Sequence, residues 1–128
     1  MSAPTDPREV WRIIATDDSA SKLSPIVDTL REAGHCVFAA YDGRSALELV
    51  VQLSSIDLLI TNTRLGRVEG PELIRETREL RPGMPILHVI QEGERDDDTP
   101  PDVLILREPF TPGRLLTAVR GLLAQARR

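Results

Sequence analysis

Asp17 and Asp18 stand side by side at the end of the apolar run Val10 to Thr16. Two adjacent carboxylates can hold a hard divalent cation such as Mg²⁺, which takes oxygen ligands and keeps several waters. A third carboxylate, Glu108 of Glu108-Pro109, follows another apolar run, Val103 to Leu106. Asn62 closes a further run, Asp57 to Thr61, with an amide, which is a poor nucleophile. Asn62 can also donate a hydrogen bond to Glu108 and hold the loops in one conformation. The plainer alternative is that Asp18 caps the next helix while Asp17 stays solvated.

Short apolar runs must deliver these groups. Val10–Thr16, His35–Ala40, Asp57–Thr61, Pro85–Ile90 and Val103–Leu106 read as strands. Between them Ile26, Val27, Leu30 and Ala33 recur at helical spacing up to Gly34, with Pro25 in the first turn and Ser19 or Ser24 as cap. Asp42 caps a second helix through Ala46, Leu47, Leu49, Val50 and Leu53. Gly70-Pro71 opens a third through Leu73, Ile74, Thr77 and Leu80, stopped at Arg81-Pro82-Gly83. Thr111-Pro112 opens the last, with Leu115, Leu116, Val119, Leu122 and Leu123 inward and Arg127-Arg128 at its negative end. Strand and helix alternate, which is the pattern of a parallel sheet covered on both faces.

In that order and with those strand ends the chain resembles the receiver domain of bacterial two-component response regulators over nearly all its length. The resemblance implies a flavodoxin-like, doubly wound, five-stranded parallel sheet of order 2-1-3-4-5, with the site where strands one and three diverge. It matches Asp17 and Asp18 to the acidic pair that binds Mg²⁺ and Asn62 to the phosphoacceptor aspartate. Ile90 matches a serine or threonine that senses the phosphoryl group. Glu108, before Pro109, matches a lysine that contacts the phosphoryl oxygens, and Ile105 matches the aromatic switch residue of strand five.

Each departure removes a step. The amide of Asn62 gives no acyl phosphate comparable to an aspartate's. Glu108 reverses the charge met by an incoming phosphate, and unit charges near 4 Å interact by about 4 kcal/mol at a surface-like dielectric. Ile90 has no hydrogen bond to give. A register slip does not restore the acid, because Asp57 lies at the far end of the strand, about 16 Å away at roughly 3.3 Å per residue. The resemblance therefore implies a degenerate, stand-alone receiver that is not an enzyme and needs no cofactor. It would work by contact with a sensor kinase or output protein, or by self-association. The rivals are phosphoryl transfer to Asp17 or Asp18, and a flavodoxin-like metal or small-molecule binder.

Gln91 to Asp102 carries no apolar residue at helical spacing and contains Pro100-Pro101, so the family's fourth helix is expected to be short or missing. Asp96-Asp97-Asp98 lacks the glycine and distal glutamate of a calcium loop and reads as a solvated acidic turn. His88 reads as a packed or edge residue, and Arg75, Arg78 and Arg81 beside Glu72, Glu76 and Glu79 as an exposed salt-bridged face. Cys36 excludes an intramolecular disulfide and packs as a small hydrophobe.

The 128 residues suit one domain, residues 10–128, behind a flexible tail, residues 1–9. A formal charge of −4 without a basic stripe argues against nucleic acid. Residues 1–7 hold no apolar signal core, and no later stretch is long enough to span a bilayer, so a cytoplasmic location is expected.

Overall fold

The strands lie where the apolar runs are. In a computed structural model, which describes residues 9–95 and 98–126, β1 is Arg12–Thr16, β2 Cys36–Ala40, β3 Leu58–Asn62, β4 Ile86–Ile90 and β5 Leu104–Arg107. All pairs are parallel and the order is β2-β1-β3-β4-β5, the flavodoxin-like order expected. β3 and β4 are buried along their whole length, as strands covered on both faces must be. Most of the expected tail, Asp96-Asp97 of the acidic turn and Arg127-Arg128 lie outside the described residues.

Alternate residues of each strand feed two apolar layers. Ile13, Ala15, Leu58, Ile60, Leu87 and Val89 meet helices α1 (Ala20–Glu32) and α4 (Pro112–Ala126). Ile14, Leu59 and Ile86 meet α2 (Gly43–Gln52) and α3 (Gly70–Leu80). Fully burying each such side chain contributes about 1.5–3 kcal/mol, so the layers fix which strand ends come together.

The caps follow the residue chemistry. Asp42 accepts from the Ser45 N–H at 2.7 Å, and this bond holds its carboxyl below the usual range. Thr111 accepts from Arg114 N at 3.1 Å to start α4. Gly34 takes φ of +99° after α1, a conformation that favours glycine.

α1 differs from the expected helix. It begins at Ala20, after Ser19, because Leu23 already belongs to the buried face, and Pro25 falls inside it rather than in its first turn. Proline leaves the Ser21 carbonyl without its helical donor, which is tolerable where both residues are exposed to water. Leu80, expected inward, is 52% exposed at the end of α3.

No helix forms among the described residues between Ile90 and Leu104. The segment is a strap held by polar side chains. Glu94 pairs with Arg64 at 3.5 Å, Thr99 bonds His88 at 2.7 Å and Asp102 bonds Arg78 at 2.7 Å. Arg78 is thus drawn out of the expected face of local ion pairs, and its Nε donates to the Met84 carbonyl. Arg81 likewise turns to the Val50 and Leu53 carbonyls at the end of α2.

Candidate functional site

β1 and β3 run side by side in register, Thr16 against Thr61, so their next residues, Asp17 and Asn62, arrive at one place. Asp17 is 1% exposed and Asn62 4%. Asn62 Nδ2 donates to Asp17 Oδ2 at 2.9 Å, and the other carboxylate oxygen, Oδ1, accepts from Ser19 N at 2.9 Å. Asn62 Oδ1 accepts from Thr63 N at 2.5 Å and from Arg64 N at 3.4 Å. The surroundings fix the amide's orientation, since a carboxylate can only accept and a backbone N–H only donate. Gly70 completes the corner: its N–H donates to the Thr63 carbonyl at 2.7 Å, and a Cβ there would collide with the Asn62 carbonyl.

This geometry corrects two expectations. Asp17 is the buried member of the acidic pair and closes the turn onto Ser19, because only its carboxylate lies under the Asn62 amide. Asp18 is exposed, and Ser19 rather than Asp18 occupies the cap position of α1. The expected bond from the Asn62 amide to Glu108 is absent as well. Asn62 is spent on Asp17, and Glu108 faces Lys22 of α1, Nζ to Oε1 3.7 Å. At 37% and 21% side-chain exposure that pair contributes about 0–1 kcal/mol.

The remaining positions stand apart from the amide. Ile90 is fully buried, and its carbonyl accepts from Glu108 N at 2.8 Å. The Glu108–Pro109 peptide is cis. Ile105 is half-buried on β5 and pairs in register with His88. Beside the Lys22–Glu108 pair a groove of about 310 Å³ runs between α1 and the start of α4, lined by Pro25, Ile26, Phe110 and Leu115.

A divalent cation finds a poor donor set here. Between Asp17 and position 62 it would meet the N–H of an amide where a carboxylate oxygen is wanted. Among the described residues no three His, Cys, Asp or Glu side chains converge on one point.

Two participants were not singled out from sequence. Lys22 is the only lysine in the chain, which was the available signal for it, and Thr63 had none. His88, read as a packed or edge residue, is packed at 1% exposure, with its Nε2 2.9 Å from Thr63 Oγ1 and its Nδ1 2.7 Å from Thr99 Oγ1.

Known proteins agree with this architecture. The family described as the response regulator receiver domain matches residues 13–100. The chain is 28% identical over 119 residues to the response regulator receiver protein CpdR of Brucella abortus, covering 90% of this chain and 98% of that one. It superposes on a response regulator receiver protein from Sinorhizobium medicae with a TM-score of 0.85 at 33% identity, covering 92% and 98% of the two chains. Against the transcriptional regulatory protein GlrR of Escherichia coli it is 27% identical over 85 residues, 66% of this chain but 19% of that protein. No helix among the described residues is long and apolar enough to cross a membrane. The chain belongs to the response regulator receiver domain family of two-component signalling.

Proposed function

We propose that residues 10–128 form one cytoplasmic receiver unit that signals without aspartyl phosphorylation, through contact with a sensor kinase or output protein or with a second copy. The observation that carries this reading is the buried bond from Asn62 Nδ2 to Asp17 Oδ2. The family's nucleophile position holds a weakly nucleophilic amide, and that amide already satisfies the carboxylate that would otherwise call for a metal. Glu108 supports it by offering an incoming phosphate a negative charge, and the buried Ile90 supports it by having no hydrogen bond to give. In this reading Asn62 marks the lost phosphoacceptor, Ile90 and Ile105 the lost switch, Glu108-Pro109 the lost lysine, and Asp17-Asp18 an acidic pair that works without Mg²⁺. The formal charge of −4 favours a protein partner over nucleic acid.

Intact-mass spectrometry after incubation with Mg²⁺ and acetyl phosphate tests it. The natural chain should show no adduct. The combined Asn62→Asp, Ile90→Thr, Glu108→Lys variant should gain one labile phosphoryl group. A labile adduct on the natural chain would overturn the reading and direct attention to Asp18, whose side chain is open to solvent.

A further inference from the structure

The side-chain amide oxygen of Asn62, Oδ1, is held by two consecutive backbone N–H groups, those of Thr63 and Arg64. Arg64 sends its side chain directly to the strap between β4 and β5, and Thr63 reaches the strap through His88 of β4. Thr63 Oγ1 reaches His88 Nε2, and His88 Nδ1 reaches Thr99. Arg64 Nε reaches Glu94 Oε2, while Glu94 Oε1 accepts from Gln91 N at 2.8 Å and the Glu94 carbonyl accepts from Arg107. From the other side of the amide the chain of bonds continues through Asp17 to the Ser19 N–H at the start of α1.

We infer that Asn62 is the centre of a hydrogen-bonded relay that couples the strap residues 91–95 and 98–102 to the β1–α1 turn, with His88 as its positioning residue. The inner route, Thr99–His88–Thr63–Asn62–Asp17–Ser19, passes through three buried residues, His88, Asn62 and Asp17, and three half-buried ones, and the outer route, Glu94–Arg64–Asn62, passes through the exposed Arg64. The imidazole makes the inner route directional. If neutral, it has one N–H and one lone pair, so it donates to one threonine and accepts from the other, and a change at Thr99 resets what Thr63 must offer. From Thr63 N to Asp17 neighbouring hydrogen bonds polarise one another through the Asn62 amide, and at Thr63 the coupling passes from Oγ1 to the backbone N–H through the residue's own covalent bonds. The route differs from the family's Ile90 and Ile105 positions, which carry no polar side chain here. It stands on geometry alone and holds whether or not the domain is phosphorylated.

The test is NMR on the intact chain with Thr99→Val, which removes one hydroxyl from the half-buried end of the relay. The expected result is a shift of the Asn62 side-chain amide and of the His88 imidazole nitrogens. Amide exchange at Thr63 should also be faster by about 2- to 10-fold, the weight of one ordinary hydrogen bond. Because coupling is reciprocal, Asn62→Ala should speed exchange of the Glu94 amide in the strap. Thr117→Val is the control, since its exposed hydroxyl bonds Gly113 within α4 and makes no bond to any residue of the relay. Glu94→Gln probes the outer route at the Arg64 amide and keeps the question open to experiment if Thr99→Val fails to fold. The inference is overturned if Thr99→Val disturbs only the strap, or if Thr117→Val moves Thr63 and Asn62 as much.

Discussion

The two ends of β3 use acid and amide in opposite ways. Before its first residue, Asp57 accepts from the Arg12 N–H at 2.8 Å while its own N–H donates to the Arg12 carbonyl at 2.8 Å, a staple that starts the pairing with β1. Asp57 there is half-buried, and its role is to hold backbone. At the other end, where the fold gathers its ligand-binding groups, Asn62 is nearly fully buried and bound to another side chain. The acid has become part of the scaffold, and the amide occupies the place of chemistry. The same contrast separates the histidines. His88, near the carboxyl end, bonds side chains of two different loops, whereas His35, near the amino end, stacks on Trp11 with ring centres 4.7 Å apart and accepts from the Trp11 N–H.

Substitutions at the two ends should separate accordingly. Asn62→Leu leaves the buried Asp17 Oδ2 without its donor, only Oδ1 keeping the Ser19 N–H, and should cost about 3 kcal/mol in urea unfolding. A cost under about 1 kcal/mol would mean that Asp17 turns out to water and the corner is softer than described. Asp57→Ala removes an acceptor that solvent can partly replace, and about 1–2 kcal/mol is expected by the same measurement. It should leave the Asn62 side-chain amide resonances unmoved, and movement there would erase the distinction between the ends.

The smallest effect belongs to His35. Partial burial, and secondarily the nearby Arg120, lower its pKa below 6.5. The folded chain therefore binds fewer protons at this site than the unfolded chain. The neutral ring's stabilisation is complete above pH 6.5 and declines as pH falls from there towards the folded pKa. Thermal midpoints between pH 7.5 and 5.5 should fall less steeply for His35→Gln than for the natural chain. Equal slopes would sink this assignment.

Period and punctuation carried the backbone layout to the reader of the sequence. Parallel strands announce themselves as unbroken apolar runs such as Leu58–Leu59–Ile60, and helix starts as Asp42 or Thr111-Pro112. Pro100-Pro101 and the polar run before it were enough to remove a helix. Position 62 was legible because a strand end is a fixed place in the fold. The partner of Asn62 was not. Asp17, Glu108 and Thr63 are all within one residue of a strand end, and only the three-dimensional arrangement decides which receives the amide. Pro25 misled for a related reason. Its first-turn preference is a local one, and the burial of Leu23 against the sheet outweighed it.

The ion pair at the mouth of the groove gives the molecule a built-in address. With Lys22 as the only lysine, amine-directed reagents have one side-chain target in the whole chain, on the face of α1 that looks towards Glu108. A fluorophore or cross-linker placed there needs no engineered cysteine and leaves Cys36 untouched. Any protein that settles over α1 and the start of α4 would shield that single amine, so its acylation rate becomes a direct footprint of occupancy.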